Sequence, residues 1–191
     1  MKLRESGMPE QDLWESLFDI EDTLDRLGVD ETLCDVAELG CGYGTFTLPV
    51  ARRIQGTLTS IDVDTAMVAI TRKRAMDAAL KNILVLERDV TVDGFGVASA
   101  SQDGCLLFNI LHGELPLQML VEAARDVKVG GVLLVTHWRH DPATPRGPSL
   151  DIRPKPEHVL EWVAQSRLLA PHGSVIDLPP WHYGMRLRRV Q

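Results

Sequence analysis

The chain of 191 residues has little of what marks several protein classes. It holds three cysteines, Cys34, Cys41 and Cys105, isolated from one another and odd in number. A disulfide framework and a Cys-x-x-Cys metal site are both excluded on that count, and a reducing cytosol is the simplest home. No apolar run is long enough to span a bilayer, and the opening MKLRESGMPEQD lacks the apolar core of a signal peptide. Basic residues are outnumbered, 20 Lys and Arg against 27 Asp and Glu, for a formal net charge of −7. An acidic protein is a poor default binder of phosphate backbones, so nucleic acid is not an expected partner. The small basic groups Arg72-Lys73-Arg74 and Arg186/Arg188/Arg189 read as solvated faces. Internal repeats and low-complexity segments are absent.

What remains is an ordinary globular composition, 45% hydrophobic and 25% charged, on a length that suits one domain. Residues 9–27 predict one N-terminal helix, with Leu13, Leu17, Ile20, Leu24 and Leu27 on one face, Pro9 near its start and Gly28 as its stop. Strand-like runs and helical patterns then alternate. Strands are expected at 34–39, 57–62, 82–87, 103–109 and 131–138, and helices at 45–54, 65–80, 115–128 and 156–169. In the helix at 65–80, Met67, Ile70 and Leu80 face inward. Two last strands, 174–178 and 185–190, are separated only by PPWHYG, too short for a parallel crossover, and should pair antiparallel. This alternation predicts an α/β fold with a mostly parallel, doubly wound sheet. The proline-rich stretch 139–157 is a long loop after a strand. The expected organisation is a single domain over 1–191, with residues 1–30 covering a pocket and the 139–157 loop covering its acceptor side.

The stretch AELGCGYGTF, residues 37–46, sits between a strand and a helix, where open α/β sheets bind ligands. The dinucleotide fingerprint needs a third glycine where Thr45 stands, and the phosphate loop needs a Gly-Lys-Ser/Thr that is missing. Glu38, just ahead of Gly40, would repel a phosphate at the helix N-terminus. A ligand with a cationic group beside a neutral body fits better. S-adenosylmethionine has a sulfonium, an ammonium and a ribose diol, and no phosphate. Asp62 at the tip of the second strand suits the ribose hydroxyls. Asp89 at the tip of the third suits an adenine amino group, and Asn109 at the end of the fourth suits the methionine part. Asp64 reads as a helix N-cap, and Cys41 as a small residue in a tight loop.

With these motifs the sequence resembles the class I S-adenosylmethionine-dependent methyltransferases. AELGCGYG corresponds to the family's first motif, SIDVD to its second and ERDV to its third. DGCLLFNILHG and VKVGGVLLVTHW resemble its fourth and fifth strands. The resemblance implies a Rossmann-like seven-stranded sheet of order 3-2-1-4-5-7-6 with strand seven antiparallel. It implies S-adenosyl-L-methionine as cofactor, held by Glu38, Gly40, Cys41, Gly42, Tyr43, Gly44, Asp62, Val63, Met67, Asp89, Val90 and Asn109. The size and motifs are similar to the quinone-biosynthesis C-methyltransferase-like subgroup.

Methylation of an oxygen or carbon atom of a small organic acceptor is the expected activity. The Asn/Asp-Pro-Pro-Tyr run of amino-methylating enzymes is absent, as is an Asp-Asn metal pair after the fifth strand. His112 is the candidate general base, since an imidazole titrates near neutral pH. His112, Glu114, His137 and His140 repeat no known ligand spacing, and no metal is expected. Trp138 is a candidate for the acceptor wall. A non-catalytic cofactor-binding subunit and a nucleotide-dependent oxidoreductase are the alternatives. The oligomeric state stays open, a homodimer being compatible with the sequence.

Overall fold

The computed structural model describes residues 8–191. Its centre is β1 (Val36–Leu39), four residues buried on both faces, as the middle strand of a covered parallel sheet must be. β1 pairs in parallel with β2 (Leu58–Asp62) on one side and β4 (Gln102–Phe108) on the other. β3 (Ile83–Glu87) extends one edge beyond β2, and β5 (Val127–Trp138) follows β4. β8 (His182–Arg189) lies antiparallel to β5, with Trp138 opposite His182. The order is β3-β2-β1-β4-β5-β8-β6, which is the expected winding with its reversed last strand.

The sheet has eight strands rather than seven because the sixth is in two pieces. β6 (Leu169–Pro171) and β7 (Ile176–Leu178) both pair antiparallel with β8. Residues 167–169, expected at the end of a helix, leave it because Arg167 takes a left-handed conformation (φ 56°) and ends α7 (Pro156–Ser166).

The single N-terminal helix is instead two, α1 (Gln11–Glu15) and α2 (Ile20–Leu27). Asp19 accepts from the Asp22 N–H and so starts a new helix. Gly28, at φ 71°, stops α2 as expected. Leu24 and Leu27 are fully buried, but Leu13 is half-exposed, because the break turns α1 away from the core. α3 (Thr47–Arg53), α4 (Thr65–Asp77) and α6 (Pro116–Asp126) follow their strands. In α4 the fully buried positions are Val68 and Thr71, while Met67 and Ile70 are half-buried; Leu80, expected on this helix, lies past its end and is half-buried too. A short helix that periodicity did not announce, α5 (Val90–Asp93), follows β3.

Two apolar cores flank the sheet. One joins Leu107, Leu133 and Val135 to α6 and α7; the other joins Val36, Leu58 and Leu134 to α2 and α3. Arg74 departs from the solvated face expected of residues 72–74. It pairs with Glu15 at 2.8 Å and donates to the Tyr43 carbonyl at 2.6 Å, which fastens α1 to α4 above the glycine loop.

Candidate active site

β1 delivers Glu38 and Leu39 to the edge of the sheet, and the chain then turns through Gly40, Gly42 and Gly44, all at positive φ. Gly44 must be glycine on a second count, since a Cβ there would lie 2.9 Å from Leu48 Cδ1. Four of the loop N–H groups are already spent internally. Those of Gly40 and Cys41 donate to the Ile61 carbonyl, that of Gly42 to Asp62 Oδ2, and that of Gly44 to the Cys41 carbonyl. α3 begins only at Thr47. The N–H groups of all three glycines are therefore taken, which adds to the missing glycine at Thr45 as a reason against a dinucleotide.

Glu38 is buried, and its Oε2 accepts from both the Thr47 and Ser60 hydroxyls. Burial pushes its pKa up to about 7, against the pull of those two hydroxyls and with a further push from Asp62. A cationic group beside it would reverse that shift. Asp62 accepts from the Gly42 N–H (3.0 Å) and the Asp64 N–H (2.9 Å), so it braces the loop as well as facing the cavity. Asp64 caps α4 through the Ala66 N–H, as expected. Asp89 caps α5 through the N–H and hydroxyl of Thr91.

Beyond β4 the chain makes a left-handed step at Asn109 (φ 55°). Both side-chain amide atoms of Asn109 are buried without a hydrogen-bond partner, and the residue lines the cavity. A buried amide left unpaired costs free energy unless a ligand or water meets it. His112 follows, buried, with Nδ1 3.3 Å from Nε2 of the fully buried His137. Burial and the neighbouring His112 hold His137 well below the ordinary imidazole range, so His137 is neutral. His140, just after β5, faces the Arg153 carbonyl instead, through its own Nδ1.

These groups border one cavity of about 320 Å³ at the carboxyl ends of the strands, within the size range of small-molecule sites. Of the sequence-derived candidates, Glu38, Gly40, Cys41, Gly42, Asp62, Val63, Met67, Asp89, Val90, Asn109 and His112 line it. Tyr43 and Gly44 do not. The Tyr43 hydroxyl turns out to donate to the Pro9 carbonyl at 2.8 Å, pinning the N-terminal segment. Burial pushes the Cys41 thiol far up, so it is no nucleophile.

The expected covers divide. Met8 and Trp14 from the N-terminal segment line the cavity, but no residue of 139–157 does. That loop folds on itself around buried Arg153, whose guanidinium donates to the carbonyls of Pro148 (2.7 Å) and Arg139 (2.9 Å) and to the Thr144 hydroxyl. Its residues 151–154 line a separate groove on the far side of His112. Sequence reasoning missed Phe46, Arg88, Thr91, Phe108, Ile110 and Met119 as lining residues. Arg88, Phe108 and Ile110 end or closely follow a motif strand, Phe46 follows the glycine loop, and Thr91 and Met119 lie on the helices that come next.

The chain belongs to the methyltransferase domain family, whose model matches residues 36–131, from the start of β1 into β5. Its fold is that of S-adenosylmethionine-dependent methyltransferases. An Aquifex aeolicus enzyme of that description superposes with a TM-score of 0.82 at 22% identity, over 95% of this chain and 94% of that one. The [4+2]-cyclase SpnF shares the fold as well, with a TM-score of 0.75 and 17% identity over 98% of this chain and 84% of its own. Among curated proteins, the aklanonic acid methyltransferase DauC of Streptomyces sp. (strain C5) is 32% identical over 94 residues, covering 40% of this chain and 43% of that protein. The chain thus spans less than half the length of that relative.

S-adenosylmethionine is the cofactor that this family and fold carry. The residues present fit it: a carboxylate raised by burial, which a cation would meet, a second carboxylate at the β2 tip, and an unpaired amide at the end of β4.

Proposed function

We propose that this protein transfers a methyl group from S-adenosylmethionine to an oxygen or carbon atom of a small organic acceptor. The observation that carries this reading is a pair of polar groups in one cavity: the buried Glu38 carboxylate, met by hydroxyls but by no cation among the described residues, and the buried amide of Asn109, without a partner among them. In this reading Glu38 is the counter-charge for the cationic methionine part, and Asn109 hydrogen-bonds that part from the β4 side. Asp62 accepts from the ribose hydroxyls with the lone pairs that Gly42 and Asp64 leave over. Asp89 takes the adenine amino group, with Val63, Met67 and Val90 against the base.

When bound, S-adenosylmethionine supplies an electrophilic methyl group, the reactivity being the cofactor's own. The chain's part is to hold an acceptor in line, to keep water out and to take a proton. His112 is the group placed to take it, with neutral His137 holding its ring from behind. The net charge of −7 favours a small molecule over nucleic acid, and unpaired cysteines, two of them buried, suit a reducing cytoplasm.

The direct test is transfer of label from methyl-tritiated S-adenosylmethionine to organic-extractable product across a panel of phenols and enols. Labelled product with an equimolar rise in S-adenosylhomocysteine is the expected result. Tight S-adenosylhomocysteine binding with no turnover over a broad panel would favour a cofactor-binding subunit or, as with SpnF, other chemistry on the same fold.

A further inference from the structure

The cavity is chemically two-sided, and the division follows the sheet. Its ionic side chains, Glu38, Asp62, Asp64, Arg88 and Asp89, all come from the ends of β1, β2 and β3. On the other side, over β4 and β5, the wall is aromatic: Trp14 of α1, Phe46 after the glycine loop, Phe108 ending β4 and Trp138 ending β5. The rings form a continuous edge-to-face set. Phe46 and Phe108 have centroids 5.0 Å apart, and Trp14 and Trp138 6.4 Å. Phe18 joins the two pairs from behind, 5.3 Å from Phe46 and 4.8 Å from Trp14. The chain has ten Phe, Trp and Tyr residues, so these five are half of its aromatic content, gathered at one place.

From this we infer the class of acceptor: a planar, uncharged aromatic molecule bearing a hydroxyl group, stacked against the Trp14 side of the wall with the hydroxyl toward His112. The inference rests on the methyltransferase reading above and deepens it. Each half of the claim has its own ground. Flatness follows from rings that present faces and edges, where offset stacking and T-shaped contacts add to plain burial. Neutrality follows from the absence, among the described lining residues of that half, of any Lys, Arg, Asp or Glu. An ionised acceptor would lose its water without gaining a counter-charge. The hydroxyl follows from His112 being the polar group on the rim of the aromatic half that can exchange a proton.

The test is a titration of protein already saturated with S-adenosylhomocysteine, using three probes of similar size: 2-naphthol, its saturated analogue decahydro-2-naphthol, and 2-naphthoate. Binding of 2-naphthol about tenfold tighter than either of the others is expected. Trp14→Leu, which keeps apolar bulk but removes the flat face, should lose about that tenfold preference and keep the wild-type affinity for S-adenosylhomocysteine. Trp14→Ala should behave likewise, and unchanged S-adenosylhomocysteine binding certifies that both variants are folded.

If S-adenosylhomocysteine binds but 2-naphthol shows no preference over the saturated or the anionic probe, the acceptor inference is wrong and the cofactor site stands. If Trp14→Leu keeps the preference, the aromatic wall is not what recognises the ring. Failure of S-adenosylhomocysteine itself to bind overturns the methyltransferase reading and the acceptor class with it.

Discussion

Asp62 and Asp64 show how far a single residue can be read from its neighbours. Both follow the second strand, and the N-cap preference separated them correctly, since Asp64 does cap α4. The double duty of Asp62 was not legible, because its loop contact spans twenty residues, to the Gly42 N–H. A strand-tip carboxylate read from sequence alone would be solvated and cheap to remove. With two backbone N–H groups to satisfy, it is neither. Asp62→Ala should weaken S-adenosylhomocysteine binding about 30- to 150-fold, the equivalent of roughly 2–3 kcal/mol. It should also lower the stability of the ligand-free protein by about 1–3 kcal/mol. Calorimetric titration and urea unfolding measure the two losses separately. A variant as stable as wild type would show that the Gly42 and Asp64 contacts contribute nothing.

Glu38 gives a second prediction at this scale. Since its pKa stands at about 7 in the free protein, a ligand carrying an ammonium must displace its proton at lower pH. Affinity for S-adenosylhomocysteine should then fall as pH drops below about 7, by up to about tenfold per unit. Glu38→Gln should bind more weakly at pH 8 and show a flatter profile. Parallel profiles for the two proteins would place the cation elsewhere.

At the scale of elements, the five parallel strands were legible because buried apolar runs alternating with helical patterns are a local signal, while their order came from the family resemblance. What was not legible depended on contacts distant in sequence. The N-terminal helix breaks where Asp19 caps α2, and α1 is held by Arg74 and Tyr43, residues that an eye on local charge assigns to solvent or ligand. The proline-rich 139–157 loop reads in the sequence as a cover for the acceptor side. It is a closed loop, because Arg153 lies under it and donates to its carbonyls. Arg153→Met should therefore leave the buried Pro148 carbonyl without its donor, at about 1–3 kcal/mol where no water replaces it, and release the half-buried Arg139 carbonyl. Limited proteolysis should cut first between residues 139 and 150 in that variant, while wild type resists there. Equal resistance in the two would mean that the prolines alone hold the loop. Because none of 139–157 borders the main cavity, affinity for S-adenosylhomocysteine should change little.

For the whole molecule, two buried groups pull stability in opposite directions with pH. Glu38, raised from 4.5 to about 7, contributes stability below its unfolded value that is lost as pH rises through 7. His182, stacked between Phe18 and Trp138 and lowered by burial to about 3, stays neutral in the fold. The unfolded chain takes up that proton below about 6.5, so this contribution is present above 6.5 and lost as pH falls toward 3. His182→Phe keeps the stack and removes the second effect. Relative to wild type, it should gain about 3 kcal/mol between pH 6.5 and about pH 4, at 1.36 kcal/mol per unit. Urea unfolding at the two pH values reads this, and a constant difference between the proteins would mean that His182 is protonated in place.

The same whole-molecule view bears on function. A single cavity with its charge at β1 to β3 and its aromatic wall at β4 and β5 suits a cationic cofactor on one side and a flat neutral molecule on the other. The first half of that statement is the central one, and one experiment reaches it directly. S-adenosylhomocysteine and NADH are titrated calorimetrically into the same protein at about pH 8, where Glu38 is ionised. Saturable one-to-one binding of S-adenosylhomocysteine, with no heat from NADH, is the expected result. Binding of NADH without S-adenosylhomocysteine would contradict it, because the turn would then be holding phosphates for which the N–H groups of Gly40, Gly42 and Gly44 are not free.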